Sequence, residues 1–314
     1  MLVREVVRPR WAHFRLWPPS LDGLTRRRGA GLVRLMHIDG APVAVAVSET
    51  VFAARAHDER TARAGIARMR FAVGIDDDLA EFHERFRDDP LIGRAVRMRP
   101  WLRVRRQPHP WETLAWAITE QLITLERASE IQKELIRRFG PRVAGLRDSP
   151  SAAAIAARAP AELEACGLAA KRALAMRRAA VEVASGRVSL TPLAVPGAPV
   201  PPEVAASHEA AFARLRAIRE IGTWTTEMVA LHGLGRLDVI PAGDLGLLKI
   251  VGQITTGNPR AIADEAEVRG FFARFAPWAG HAAQYVLLSR GKTGLSPLRA
   301  GTRSSAAAPP KVAV

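Results

Sequence analysis

Asp244 is the residue whose surroundings are best suited to chemistry. It stands alone at the head of an apolar run, Leu245, Leu247, Leu248, Ile250 and Val251, which places it at the start of a helix. There a carboxylate accepts backbone N–H groups and faces the positive end of the helix dipole. Such a group is held ionised, as one that steadies a developing positive charge must be. A plain N-cap and a catalytic anion are both compatible with this position, and the two roles do not exclude each other.

The elements that must hold Asp244 lie just upstream. Leu215, Ile218 and Ile221 form an apolar face up to a turn at Gly222, and Trp224, Met228, Leu231 and Leu234 then share one side of a second helix. The spacing predicts helices over 207–219, 224–234 and 244–254. Gly233 and Gly235 close the second of these, and the Pro241, Ala242, Gly243 run forces an irregular loop before Asp244.

A formal net charge of +15 and an isoelectric point of about 11.3 predict attraction to a polyanion and salt-sensitive binding. The most prominent arginines are Arg26 to Arg28, Arg94, Arg97, Arg99, Arg103, Arg105, Arg106, Arg177 and Arg178, and most are expected on solvated faces. The single cysteine, Cys166, excludes an internal disulfide framework and a four-cysteine iron–sulfur cluster, and its small apolar neighbours suggest that it packs in the core. The histidines are scattered singly, so no catalytic metal is expected. No apolar run approaches membrane-spanning length and the basic amino terminus lacks a signal core, so a cytoplasmic protein is expected; a monomer is expected as well.

Three regions follow from patterning. Residues 1–75 read as a small antiparallel β domain, with Leu32 to Ile38 and Val43 to Val47 joined across a type I′ Asp39-Gly40 turn and Val51 to Ala56 continuing the sheet. Residues 76–295 read as helical, with a cap at Asp77 or Asp78, a helix over 111–138 and a proline-rich loop over 189–205. An Ala/Pro/Ser tail from 296 to 314 is expected to be disordered. The fold class is therefore α+β, predominantly α.

Four blocks in order, HPWETLAWAITEQLI (109–123), CGLAAKRALAMRRAA (166–180), the hairpin IREIGTWTTE with its LDVIPAGD loop, and APWAGHAAQYVLL (276–288), resemble the helix-hairpin-helix DNA glycosylases, most nearly the DNA-3-methyladenine glycosylase II branch. That branch has an amino-terminal β domain. The resemblance implies that Asp244 is the catalytic carboxylate, steadying an oxocarbenium-like sugar and orienting water. It implies a base pocket walled by Trp224 and Trp278, with Met228 where relatives carry an aromatic. Either indole could equally be core. Gln121 and Leu122 match the pair that enters the duplex beside a flipped nucleotide, although Leu122 could instead join a core face with Leu114, Ile118 and Leu125. Backbone N–H groups of Gly222, Thr223, Trp224 and Thr225 would hold phosphate, and carbonyls of Arg216, Ile218 and Ile221 a structural Na or K ion. No other cofactor is implied.

Bifunctional members carry a lysine where this chain has Trp224, so the resemblance implies a water-using, monofunctional enzyme on double-stranded DNA with a cationic alkylated purine as leaving group. Three features depart from the pattern. Arg219 and Glu220 replace the usual Pro-Gly of the hairpin, Ala279 and Gly280 follow Trp278 in place of Arg-Ser, and the pocket is poorer in aromatics. A glycosylase for an oxidised or deaminated base, or a non-catalytic damage-binding protein, are the alternatives.

Overall fold

A computed structural model describes residues 1–289. A five-stranded antiparallel sheet is built from β1 (Leu2–Val6), β2 (Arg26–Arg28), β3 (Gly31–Ile38), β4 (Ala41–Val47) and β5 (Val51–Arg55), in the spatial order β1-β5-β4-β3-β2. Asp39 and Gly40 both have positive φ, 50° and 82°, as the type I′ turn between β3 and β4 requires.

The expectation of β structure alone up to residue 75 is corrected by α1 (Glu59–Val73), which Asp58 caps by accepting from the Thr61 N–H. Ala62, Ile66, Met69 and Val73 of α1 pack on Val43, Val45 and Phe52 of the sheet. The approach is close at Gly65, where a Cβ would lie 2.7 Å from the Val43 side chain. The arginine-rich text of 59–73 conceals this helix, because its larger apolar residues, Ile66, Met69 and Val73, are interspersed on the buried face with the small Ala62, Gly65 and Ala72.

The helical region comprises α2 (Ala80–Phe86), α3 (Gly93–Met98), α4 (Pro110–Glu120), α5 (Leu125–Phe139), α6 (Ala152–Ala156), α7 (Pro160–Glu164), α8 (Ala170–Ala184), α9 (Pro202–Arg216), α10 (Thr223–Met228), α11 (Leu245–Thr256), α12 (Glu265–Phe272) and α13 (Ala279–Ser289). A short ribbon, β6 (Arg142–Val143) with β7 (Leu146–Arg147), interrupts it. The residue before α2 is Leu79 and no side chain caps that helix at its N-cap position. Asp77 is drawn instead into a buried ion pair with Arg106, while Asp78 accepts from the Ala80 N–H.

Helix α4 is the axis of the molecule: every residue from Pro110 to Thr119 is buried, among the apolar side chains of α5, α8 and the second helix of the hairpin. Its first turn is tied to the sheet through Glu112, which pairs with Arg34 of β3 and accepts from Ser149 Oγ at 3.0 Å. The predicted single helix over 111–138 is in fact two. The chain breaks at Gln121 to Thr124, where Leu122 adopts φ 55°, and Thr124 caps α5 by accepting from the Arg127 N–H.

Two of the prominent arginines are not solvated. Arg103 is 1% exposed and donates to carbonyls of Val73, Trp101 and Arg15, and Arg106 is buried against Asp77. Burial pushes Arg103 down to about 10. Cys166 is a free, buried thiol, pushed up by burial. No helix among the described residues is long and apolar enough to cross a membrane. The expected tail at 296–314 lies outside the described residues.

Candidate active site

Asp244 is the N-cap of α11. Its side chain accepts from the Leu247 N–H at 3.1 Å, its carbonyl accepts from Leu248, and its own N–H donates to Pro241. The residue is half-buried, so the cap does not seal it from solvent. The capping role therefore does not require Asp244 to be buried.

The loop before it is held from beneath by a residue that patterning did not single out. Glu227, on α10, accepts from the Ala242 N–H at 3.1 Å and pairs with Arg269 of α12 at 2.5 Å. Its carboxyl is pushed up by burial, against the pull of Arg269. An acidic residue three positions after Trp224, directly before the apolar Met228 and Val229, was the available signal. A cavity of about 470 Å³ opens beyond this ion pair, lined by Phe212, Arg216, Glu227 and Arg269, and neither Asp244 nor Trp224 lines it.

Trp224 lies beside the Asp244 loop. A Cβ added at Gly243 would meet the Trp224 Cβ at 3.5 Å. Along the second helix of the hairpin, Trp224, Met228 and His232 are partly open while residues 225–227 and 229–231 are buried, so the three form one accessible stripe at four-residue spacing. The last turn is a π-helix, Val229–Gly233, followed by Gly235 at φ 80°.

Trp278 is placed differently from its expected role in the pocket wall. It is only 6% exposed and meets Phe82 and Phe86 edge-on, in the core of α2 and α13. The glycine at 280, a departure from the family pattern, is explained by packing: a Cβ there would lie 2.1 Å from the Val239 carbonyl oxygen.

The break after α4 presents Leu122 fully exposed, with Leu125 also open, whereas Leu114 and Ile118 are buried. The core-face alternative for Leu122 is thus set aside. Gln121 turns its side chain toward the hairpin, donating from Nε2 to the Glu220 carbonyl at 2.8 Å and to Thr225 Oγ1 at 3.0 Å. Arg172 of α8 donates to the Gln121 carbonyl at 2.8 Å.

In the hairpin, Glu220 takes the left-handed conformation, φ 74°, that the family's glycine would adopt without strain. Its carboxylate lies 3.7 Å from the exposed Arg219 guanidinium. Gly222 and Thr223 are exposed and no side chain caps α10, so its first N–H groups face outward. The Ile218 carbonyl accepts from the Ile221 N–H. Among the described residues no cluster of His, Cys, Asp and Glu suits a metal ion.

An amino-terminal sheet, a helical body and a helix–turn–helix hairpin that leads into a capping aspartate together define a helix-hairpin-helix glycosylase fold. Residues 115–273 match the model of the HhH-GPD superfamily base excision DNA repair proteins, and the chain belongs to that family. It is 27% identical over 195 residues to a DNA-3-methyladenine glycosylase of Bacillus subtilis (strain 168), covering 61% of each chain. It is 25% identical over 203 residues to DNA-3-methyladenine glycosylase 2 of Escherichia coli (strain K12), covering 64% of each. It therefore spans less than two thirds of the length of these relatives. The fold is that of the 3-methyladenine DNA-glycosylase from Archaeoglobus fulgidus, with a TM-score of 0.68 at 21% identity over 92% of this chain and 98% of the other.

Proposed function

We propose that this protein is a monofunctional DNA glycosylase that extrudes an alkylated purine of the 3-methyladenine type from duplex DNA and hydrolyses its N-glycosidic bond. The observation that carries the reading is Asp244: a partly exposed carboxylate fixed at a helix start, directly after Gly243, whose Cβ position lies 3.5 Å from the Trp224 Cβ. As the glycosidic bond lengthens, positive charge develops on the deoxyribose, and a preorganised carboxylate stabilises it without reorganising. The same group orients a water for attack on the sugar carbon. A cationic alkylated purine leaves without prior protonation, so one carboxylate suffices where sugar hydrolases commonly use two.

Trp224 occupies the position of the lyase lysine, and no amine is available there to attack the sugar. Its indole face, with Met228 one turn on, offers stacking and cation–π attraction to a cationic base. Leu122, fully exposed at the tip of its loop, suits filling the gap that an extruded base leaves. Outward N–H groups of Gly222 to Thr225 suit a phosphate, and a monovalent cation held by carbonyls of Arg216, Ile218 and Ile221 would brace the turn. The protein would act as a monomer on damaged double-stranded DNA in the cytoplasm.

The test is release of 3-methyladenine and 7-methylguanine from methylated duplex DNA by the wild type and by Asp244→Asn. Release by the wild type and a loss of at least a hundredfold in the variant are expected. Equal release by both removes Asp244 from the chemistry. DNA binding with no release by either would make the protein a damage-binding module.

A further inference from the structure

One edge of the sheet carries a concentration of positive charge that the Asp244 site does not use. β2 is an edge strand, and its three residues, Arg26, Arg27 and Arg28, are all exposed. The β6–β7 ribbon stands against it: Arg26 Nη1 donates to the Gly145 carbonyl at 3.4 Å, and His37 of β3 is bonded to Asp148, just beyond β7, at 2.9 Å. Within the ribbon Arg142 lies directly opposite Arg147, so the two side chains share a face. Arginines from two distant stretches of chain are thereby gathered into one surface.

Among the described residues none of these five arginines has a carboxylate within ion-pair distance. Their bonds go to main-chain carbonyls, those of Gly23 and Gly145 for Arg26 and of Gly140 for Arg147, and a carbonyl leaves the charge uncompensated. Asp148 adjoins Arg147, but it is buried and taken up by His37 and the Ser149 N–H. Glu49, on the β4–β5 turn, is in no ion pair with them. Elsewhere clustered arginines are matched by acids, as Arg137 and Arg138 are by Glu134.

Charge on an edge strand discourages pairing with another sheet, and that accounts for an arginine on β2. It does not account for Arg142 facing Arg147, because like charges directly opposite each other are destabilising. A polyanion bound across the surface removes that repulsion.

We infer that β2 and the β6–β7 ribbon form a second duplex-binding surface, which holds the backbone of undamaged DNA without reading sequence. Guanidinium groups pair with phosphate oxygens in a bidentate fork, and a duplex offers one negative charge per ~1.7 Å of its axis. The ribbon and the loop of Leu122 lie at opposite ends of the unbroken 15-residue α5, about 22 Å apart by helical rise. This grip is therefore separate from the wedge, and it keeps the protein on intact duplex between lesions. The choice of duplex DNA as the partner rests on the glycosylase reading.

Affinity for an undamaged duplex is measured across a range of salt for the wild type and for a triple variant, Arg27→Gln with Arg28→Gln and Arg142→Gln. A second triple, Arg4→Gln with Arg8→Gln and Arg94→Gln, removes the same charge from exposed arginines that are scattered and equally free of ion pairs. The surface variant is expected to bind about tenfold more weakly at low salt, with the slope of log affinity against log salt reduced by about two to three. The scattered variant should lose at most about threefold. Release of 3-methyladenine at saturating methylated duplex should be the same in both variants as in the wild type. Should the surface variant fail to fold, Arg28→Glu alone carries the test, with the same tenfold weakening expected. An equal loss in the scattered variant overturns the proposal, and so does an unchanged salt slope. Intact duplex binding with weakened RNA binding overturns it too, by giving the surface a different polyanion. If the wild type releases no base while the surface variant still loses duplex affinity as expected, the glycosylase reading falls and this surface stands.

Discussion

The Gln121 amide donates to the Glu220 carbonyl at 2.8 Å and to Thr225 Oγ1 at 3.0 Å, joining the loop that carries Leu122 to the turn of the hairpin. The Glu220 carbonyl can only accept, so the orientation of the amide is unambiguous. Two surface features 99 residues apart are thereby made one rigid unit. A protein that must grip a phosphate and fill a base-sized gap at a set distance needs such a brace.

The brace is tested by a double-mutant cycle on Gln121→Ala and Thr225→Val. Each single variant should lose ~0.5–1 kcal/mol of stability, with a coupling term of ~0.5 kcal/mol, and duplex affinity should fall several-fold. Strict additivity in urea melts would show that the two side chains act independently.

Glu220 occupies a left-handed backbone position that costs an L side chain about 1 kcal/mol, and its carboxylate faces the same solvent as the outward N–H groups of α10. Glu220→Gly should raise the melting temperature by about 2 °C and tighten binding to undamaged duplex several-fold at low salt. Weaker binding after this change would mean that the carboxylate assists the contact.

Leu122 combines full exposure with φ 55°, an arrangement with a cost of about 1 kcal/mol and no folding benefit. Leu122→Gly should therefore be more stable than the wild type and yet release damaged bases from duplex at least tenfold more slowly. Single-turnover kinetics beside calorimetry would check both. Retained rates would dismiss the wedge.

Glu227 positions the Asp244 loop without touching the cleft. Glu227→Ala removes both the acceptor for the Ala242 N–H and the partner of Arg269, and should lower kcat ten- to a hundredfold with KM little changed. Glu227→Gln keeps the acceptor and should recover much of the rate. A common loss of stability in both variants, with kcat unmoved, would reduce Glu227 to a structural residue.

Burial pushes Glu120, at the end of α4 beside Gln121, up to about 7, with one hydrogen bond from Gln132 in partial compensation. The folded state thus holds its proton to higher pH than the unfolded chain, whose value is near 4.5. Stability from this group is complete below that lower value and is lost as pH rises through about 7. Glu120→Gln should consequently exceed the wild type by up to ~3 kcal/mol at pH 8, with the difference vanishing near pH 4.5. Urea titrations across this window provide the check, and a gap that widens on acidification would contradict the sign.

Much of this molecule could be read along the chain. The cap at Asp244, the type I′ turn at Asp39-Gly40, the hairpin with its break at Gly222 and the loop at 241–243 all depend on residues within a few positions of one another. Such preferences act locally, so type and spacing are enough to state them. Composition likewise sufficed to exclude a disulfide framework.

What patterning could not decide was burial and partnership. Helix α1 was hidden by its arginine-rich text and by the small residues spaced among its apolar ones, and Trp278 and Leu122, an indole and an aliphatic side chain of similar apolar character, ended at 6% and 102% exposure. Arg103 and Arg106 entered the core because carbonyls and Asp77 from distant segments were there to receive them, and Glu227 found Ala242 and Arg269 only once α10 and α12 were packed together. Burial and ion pairing are properties of the assembled layers: the free energy of a side chain depends on which elements close over it, and that is set by contacts between residues far apart in the chain.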